Sequence, residues 1–297
     1  MNWGIKMKKI LFGLILIITF SLLLPSDAQW EEDYENNQDD YTYTTSDTEV
    51  VHWANVIGGF GWRISGRKGI KETSNGGYIV ACMTGEFDDS GDIGILKLNS
   101  SGAIMWQRAY GRRHIEDCPY GGIQETSDGG YIVAGFTMAS NYGTHIFWIL
   151  KLNSSGDYEW QKTYGGEHDM DFPYSIQKTT DGGYVVAGTT YSFAVGECDY
   201  WILKLTEYGD IEWQRTYGGS GYDRAIHIQQ TSDGGYVVAG VAESFRAGGG
   251  YKWRGDYWIL KLTENGDIEW QKTYGGGDFD RANSIHQTAD GGYIISG

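Results

Sequence analysis

Short apolar runs separated by glycines and acidic residues recur from about residue 50 to the last residue of the chain. Residues 223–276 hold four of them: run a at 225–231, run b at 236–241, run c at 257–263 and run d at 268–274. Run b is apolar at consecutive positions (Tyr-Val-Val-Ala), which suits a strand buried on both faces. Run d alternates. In the preceding copy Ile211, Trp213 and Tyr217 fall on one face, and Glu212, Gln214 and Thr216 on the other. That pattern suits an outer strand with one wet face. Each unit therefore predicts a four-stranded antiparallel sheet, buried inside and half-wet outside.

The same unit repeats along the chain. Asp128-Gly129-Gly130-Tyr131 has copies starting at Asp181, Asp233 and Asp290, and a variant copy starts at Asn75 and carries Cys82 in place of its last glycine. The Trp of run d recurs at Trp53, Trp106, Trp160, Trp213 and Trp270, with gaps of 53, 54, 53 and 57. A period near 50 residues with four strands per unit predicts the blades of a β-propeller. An Asp-Gly turn between runs a and b supplies the positive φ that a tight hairpin needs. The sequence from the Leu of run c to the Trp of run d is always 10 residues, as from Leu203 to Trp213. The gap from the second hairpin glycine to that Leu varies over 19, 20, 20 and 25. Fixed a–b and c–d turns on one rim, and variable b–c and d–a loops on the other, place any binding function on the variable rim.

The chain organisation reads as a leader at 1–28, an acidic linker at 29–49 and repeats over 50–297. Within the repeats, a leading d strand spans 50–59, units span about 60–111, 112–166, 167–219 and 220–276, and a partial unit spans 277–297. Lys6, Lys8 and Lys9 precede an apolar stretch at 10–24, and Ser26-Asp27-Ala28 is a small-x-small cleavage site, so the leader reads as a secretory signal. No cysteine stands directly after the apolar stretch, so it does not read as a bacterial lipid-attachment signal. One leading d strand, four whole units and two further strands predict an incomplete, open ring in a fragment of a longer chain.

Composition narrows the function classes. With 45 Gly, 12 Trp and 22 Tyr against 3 Pro, the chain fits many turns and short strands. Its formal charge is −16; the leader carries three Lys and one Asp, so its removal leaves −18. Such a chain repels nucleic acid and anionic lipid head groups. Cys82, Cys118 and Cys198 occupy unrelated repeat positions and form no disulfide framework. There is no His-Glu-x-x-His, no Gly-x-Ser-x-Gly and no phosphate-binding glycine loop.

The pattern Asp-Gly-Gly-Tyr-(Ile/Val)-Val-Ala-Gly, then Trp-Ile-Leu-Lys-Leu, then Gly-Asp-Ile-Glu-Trp-Gln-Lys-Thr-Tyr-Gly-Gly resembles the repeats of secreted bacterial and archaeal β-propeller proteins of the SBBP-like kind. The resemblance covers about residues 50–297. It implies an extracellular or cell-surface propeller and brings no general catalytic residue set. Unit 1 departs most, with Gly94 for the run-c Trp and Arg112 for the second glycine after run d.

Candidate sites follow from residues outside that framework. Asp117, Asp171, Asp223 and Asp280 recur just before run a; as a rim of carboxylates they could bind calcium, and as local acceptors they would tie down the loop amides. His168, in Glu167-His168-Asp169-Met170-Asp171, could join a metal site. The b–c loop of unit 4 is the least repeat-like segment. Its Arg246, Tyr251, Trp253 and Arg254 set aromatic rings beside cations, which suits stacking on a glycan or docking on a surface protein. Three readings remain open at this point. One is a secreted, non-catalytic binding or scaffold module. A second is an extracellular polysaccharide-active enzyme, and a third is a calcium-stabilised adhesin. Two carboxylates from different blades, roughly 5–10 Å apart in a pocket, would favour the enzyme.

Overall fold

The computed structural model describes residues 69–84, 91–112, 114–139, 143–166, 170–245 and 255–297. All belong to the second of two compact units, 60–297. The leader, the linker, the leading d strand, His168 and the loop residues Arg246, Tyr251, Trp253 and Arg254 lie outside the described residues.

Every described regular element is a strand. The first sheet is β1 (Ile70–Glu72), β2 (Tyr78–Thr84), β3 (Asp92–Leu98) and β4 (Ile104–Tyr110). The second is β5 (Asp117–Glu125), β6 (Tyr131–Met138), β7 (His145–Leu152) and β8 (Tyr158–Tyr164). The third is β9 (Asp171–Lys178), β10 (Tyr184–Thr190), β11 (Asp199–Leu205) and β12 (Ile211–Tyr217). The fourth is β13 (Asp223–Gln230), β14 (Tyr236–Ala242), β15 (Asp256–Leu262) and β16 (Ile268–Tyr274). A two-stranded sheet of β17 (Ser284–Gln287) and β18 (Tyr293–Ser296) follows. Each four-stranded sheet is an antiparallel meander in sequence order.

Successive sheets stack face to face. Ile79, Ala81 and Ile95 of the first sheet pack with Val133, Trp148 and Leu150 of the second. The opposite face of the second, Ile132, Ala134 and Ile149, packs with Val186, Trp201 and Leu203 of the third. Val185, Ala187 and Ile202 then meet Val238, Trp258 and Leu260 of the fourth, whose Val237 and Ile259 meet Ala282 and Ile285. The consecutive apolar run b is thus buried on both sides, and β14 is buried throughout. Each such Leu or Ile contributes about 1.5–3 kcal/mol relative to exposure.

The first strands of neighbouring sheets lie side by side along the inner edge. There the backbone amide of Gln230 donates to Gln177 Oε1 at 2.8 Å, Gln287 N to Gln229 Oε1 at 2.7 Å and Ile285 N to His227 Nδ1 at 3.0 Å. Side chains of one sheet therefore satisfy the edge amides of the next, which would otherwise be open to a foreign strand. Pro119 in β5 and Pro173 in β9 fit this edge position, where no ladder bond is lost. Sheets stacked in sequence order, with first strands innermost, are the blades of a β-propeller. Among the described residues the first and last sheets share no strand pairing. On the last sheet Ile294 is 63% exposed, so that face is uncovered.

Outer strands bind each blade to the next. Tyr164 at the end of β8 donates to the Gly209 carbonyl of the next c–d turn at 2.6 Å, and Trp160 Nε1 donates to Glu207 O at 3.2 Å. Tyr110 reaches Gly156 O and Tyr217 reaches Gly266 O in the same way. Gly209 sits at φ +77°, and a β-carbon on it would lie 2.9 Å from the Trp160 ring. The constant c–d spacing thus reflects a turn that must both bend backward and fit under the preceding Trp.

Polar residues of run d are put to use rather than merely wetted. Lys204, 2% exposed, pairs with Asp181 of the hairpin at 2.8 Å and Glu212 of β12 at 3.0 Å, while Gln214 accepts from Trp201 Nε1. The same triad recurs at Lys151 with Asp128 and Glu159, and at Lys261 with Asp233 and Glu269. A register shift between Lys204 and Leu205 sets Glu212 as the extra residue of a bulge. Ile211, placed by alternation on the packed face with Trp213 and Tyr217, is 45% exposed, because this bulge lies just after it.

The a–b connection also differs from a two-residue Asp-Gly turn. It spans residues 126–130, with positive φ only at Gly129 (+78°). Asp128 instead accepts from Thr126 Oγ1 and the Gly130 amide. Burial alone would raise its pKa, but Lys151, Thr126 and the Gly130 amide outweigh that and hold it below the usual carboxylate range.

Two departures in the early units are compensated locally. Gly135, Gly188 and Gly240 each lie opposite a Trp across strands b and c (Trp148, Trp201 and Trp258). In the first sheet Cys82 lies opposite Gly94, with Cys82 Sγ donating to Gly94 O at 3.3 Å. Small-opposite-large has been exchanged for the reverse in milder form. Burial pushes the Cys82 thiol up to about 12. Likewise Arg112 stands where Gly166 and Gly219 stand in later units. A β-carbon on Gly166 would lie 2.5 Å from Ser192 Cβ. Beside Arg112 the b–c loop carries Ala139 instead of that serine, and the guanidinium bonds Thr137 Oγ1 (2.9 Å) and Met138 O (3.0 Å).

Candidate binding rim

Asp117, Asp171 and Asp223 open β5, β9 and β13 at the variable-loop rim, and Asp280 lies four residues ahead of β17. Asp171, fully buried, accepts from Gly166 N (3.0 Å) and Ser192 Oγ (2.8 Å) on one oxygen, and from Tyr191 N (3.2 Å) and Ser192 N (3.4 Å) on the other. Asp223 accepts from Gly219 N (2.9 Å), Ser244 Oγ (2.6 Å) and Ser244 N (3.1 Å). Asp117 accepts from Arg112 N and Asp280 from Gly276 N, each at 3.0 Å. Each carboxylate therefore joins the d–a loop before it to its own strand, and in two units also ties down the b–c loop.

Carboxylates do meet in pairs. A β-carbon on Gly218 would lie 2.0 Å from Asp199 Oδ1 and 2.9 Å from Asp223 Oδ2, so glycine alone fits between them. Gly111 is enclosed in the same way by Asp92 and Asp117. Members of a pair come from neighbouring blades, and all four are at most 1% exposed. Burial, with the charge of Asp92 adding to it and the bonds from Thr137 and Arg112 opposing, pushes Asp117 up to about 6. Burial also raises Asp199 and Asp223. Two buried acids side by side hold a proton more readily than either would alone. Sealed at 0–1% exposure and repeated at the first and third junctions, they cannot flank a glycosidic bond as an acid–nucleophile pair must. At the second junction Ile146 occupies the place of the first Asp, against Gly165. Among the described residues no group of three His, Cys, Asp or Glu side chains is placed to hold a metal.

Of the unit-4 loop, Phe245 is described at one end. Its ring lies 4.7 Å from that of Trp258, so it packs on its own blade. Glu243, three residues after Gly240, lines a cavity of about 120 Å³ together with Tyr174, Tyr222, Arg224, Phe279 and Arg281. These come from the d–a loops, the b–c loop and the innermost strands of the third and fourth sheets. Arg224 lies over the Tyr222 ring, 5.6 Å from its centroid. Ile226 and Arg281 also line a second cavity of about 510 Å³, with Lys71, His227, Asn283 and His286. Sequence reading missed this site. The signal was present: the residue after the recurring Asp is Cys118, Phe172, Arg224 and Arg281 in turn, so the framework does not require arginine there.

No protein-family model and no curated protein matches the chain. Among solved structures it is similar to an endo-arabinase from Bacteroides thetaiotaomicron, with 12% identity, covering 76% of this chain and 86% of that chain, at a TM-score of 0.46. No residue role is carried over from it.

Proposed function

We propose that the chain is a secreted or cell-surface propeller that acts as a non-catalytic binding and scaffold module through its b–c and d–a loops. One observation carries this reading. Each recurring carboxylate before run a accepts a framework amide, and Asp171 and Asp223 have both oxygens engaged by their own loop amides and serines. What varies between units is loop length and the side chains around the rim cavity, and variation on a fixed scaffold is where recognition resides. The ligand class is a glycan or a surface protein. The basic n-region and apolar stretch of the leader support export.

The test is the full chain on an array of cell-wall polysaccharides, paired with a reducing-end assay on each polysaccharide bound. Expected are retained binding and no release of reducing ends; sustained release would overturn the non-catalytic reading. Replacing Tyr251 and Trp253 by Ala should weaken binding if the unit-4 loop takes part. Millimolar calcium should leave the melting temperature within about 1 °C of its value in chelator, since a ligand stabilises only by its binding free energy. A clear calcium-dependent rise would favour the adhesin.

A further inference from the structure

In a chain of formal charge −16, two guanidiniums open into one small cavity. Arg224 in β13 and Arg281, three residues ahead of β17, occupy the same repeat position, directly after the recurring aspartates Asp223 and Asp280. The second and third sheets carry Cys118 and Phe172 there and fold alike, so the blade itself does not need arginine at this position, although Arg224 also bonds Cys198 and Tyr191 of the preceding b–c loop. Glu243 is the single carboxylate in the lining and is outnumbered two to one. Lys71 lines the adjoining cavity with Arg281, which extends the positive character along the inner edge.

Beside these cations lies an aromatic wall. Tyr174 lines the cavity and stacks on Tyr120 (centroids 6.3 Å apart, planes at 21°). Phe172 lies 6.4 Å from the same Tyr120 ring. Tyr222 and Phe279 also line the cavity. Guanidinium groups bind carboxylates in a planar, two-bond fork, and aromatic faces take the apolar face of a sugar ring. About 120 Å³ accommodates a carboxylate and the adjoining edge of its ring, with the remaining sugar at the mouth.

We infer that this rim cavity binds a carboxylate-bearing sugar, a uronic acid residue of an acidic polysaccharide, with Arg224 and Arg281 on the carboxylate and the neighbouring rings against the sugar. The inference rests on the non-catalytic binding reading above and names the ligand class. Inorganic anions share the carboxylate chemistry but offer no ring to the aromatic wall.

Titration calorimetry of the full chain with trigalacturonate, its methyl ester and sodium sulfate tests it. The acid should bind, and the ester should bind about tenfold more weakly or worse, because a charge-assisted bond is lost. Arg224→Gln and Arg281→Gln should each weaken the acid about tenfold. Arg281→Phe, which installs the residue found at this position in the third sheet, is the fold-compatible control and should show the same loss with an unchanged melting curve. Equal binding by the variants, equal binding of the ester, or displacement by sulfate mole for mole would each overturn the assignment. A chain that binds neutral glycans but not the acid overturns this inference alone. One that binds nothing on the array overturns the reading beneath it.

Discussion

Tyr164 on one blade donates its phenolic hydrogen to the carbonyl of Gly209 in the c–d turn of the next, 2.6 Å away. Both partners are withdrawn from water, and burial raises the Tyr164 pKa, so the hydroxyl remains a donor at any ordinary pH. Tyr164→Phe leaves that buried carbonyl without its donor and should cost about 1–3 kcal/mol. Tyr274, at the same position in the fourth sheet, is 54% exposed, and Tyr274→Phe should change stability by less than about 0.5 kcal/mol. Urea unfolding of the two variants side by side measures the difference.

Asp117 gives a pH dependence of defined sign. Burial holds its folded pKa up at about 6, above the ordinary aspartate value of 3.8. The stabilisation from its protonated form is therefore full below about pH 4 and is lost as pH rises through about 6. Asp128, Asp181 and Asp233 are shifted the other way and lose their contribution only as pH falls below the usual carboxylate range. Between pH 4.5 and 7, as approximate limits, Asp117→Asn should flatten the decline in the urea midpoint seen in the parent chain. An unchanged slope would show that Asp117 is already ionised in the folded chain at acid pH.

The Arg112–Ala139 exchange predicts coupling. Ala139→Ser alone would set a hydroxymethyl group where Arg112 now stands. Arg112→Gly alone would forfeit the bonds to Thr137 and Met138. Each single change should destabilise by about 1–3 kcal/mol, and the double change, which recreates the Gly–Ser pair of later blades, by less than their sum. A double-mutant cycle by thermal or urea unfolding reads the coupling directly.

Lys97 is the one lysine of its series, among the described residues, that lacks the paired acids. Asn75 and Met105 stand where Lys151 has Asp128 and Glu159. It bonds Thr73 Oγ1 (2.9 Å), Leu98 O (3.0 Å) and Asn75 Oδ1 (3.2 Å), and burial lowers its pKa despite the opposing charge of Glu125. Asn75→Asp should rebuild one arm of the triad and raise stability by about 1 kcal/mol at neutral pH. The gain should fade in acid as the new carboxylate protonates, which a comparison of melting curves at low and neutral pH will show.

The blade was legible because its strands differ in burial. Tyr236 to Ala239 could only be a doubly buried strand, and β16 runs over the residues that alternation marks. Strand a was harder to bound. It begins at Asp223, two residues before its apolar run, because Asp223 and Arg224 pair with Ala242 and Val241 ahead of a bulge. The aspartates were legible as recurring, but their bonding partners were not, since Ser192 and Ser244 arrive from loops 21 residues away. Cys82 and Gly94 stood out as separate departures; only strand register shows that they face each other. Arg224 and Arg281 carried no local motif, and it takes folding to bring two rims 57 residues apart to one cavity.

The Tyr-to-carbonyl latches and the inner-edge glutamine bonds all join a sheet to the one directly after it. Stability in such an array is close to a sum of blade terms and nearest-neighbour terms, as in linear repeat proteins. A blade can then be duplicated or deleted by recombination at the Gly-Gly boundary without rewriting any other junction, because each incoming unit carries both its own c–d turn and the Trp and Tyr that clasp the next. Number of blades and choice of ligand can drift independently in such a chain, the first by whole-unit exchange and the second by substitutions at the position after each rim aspartate.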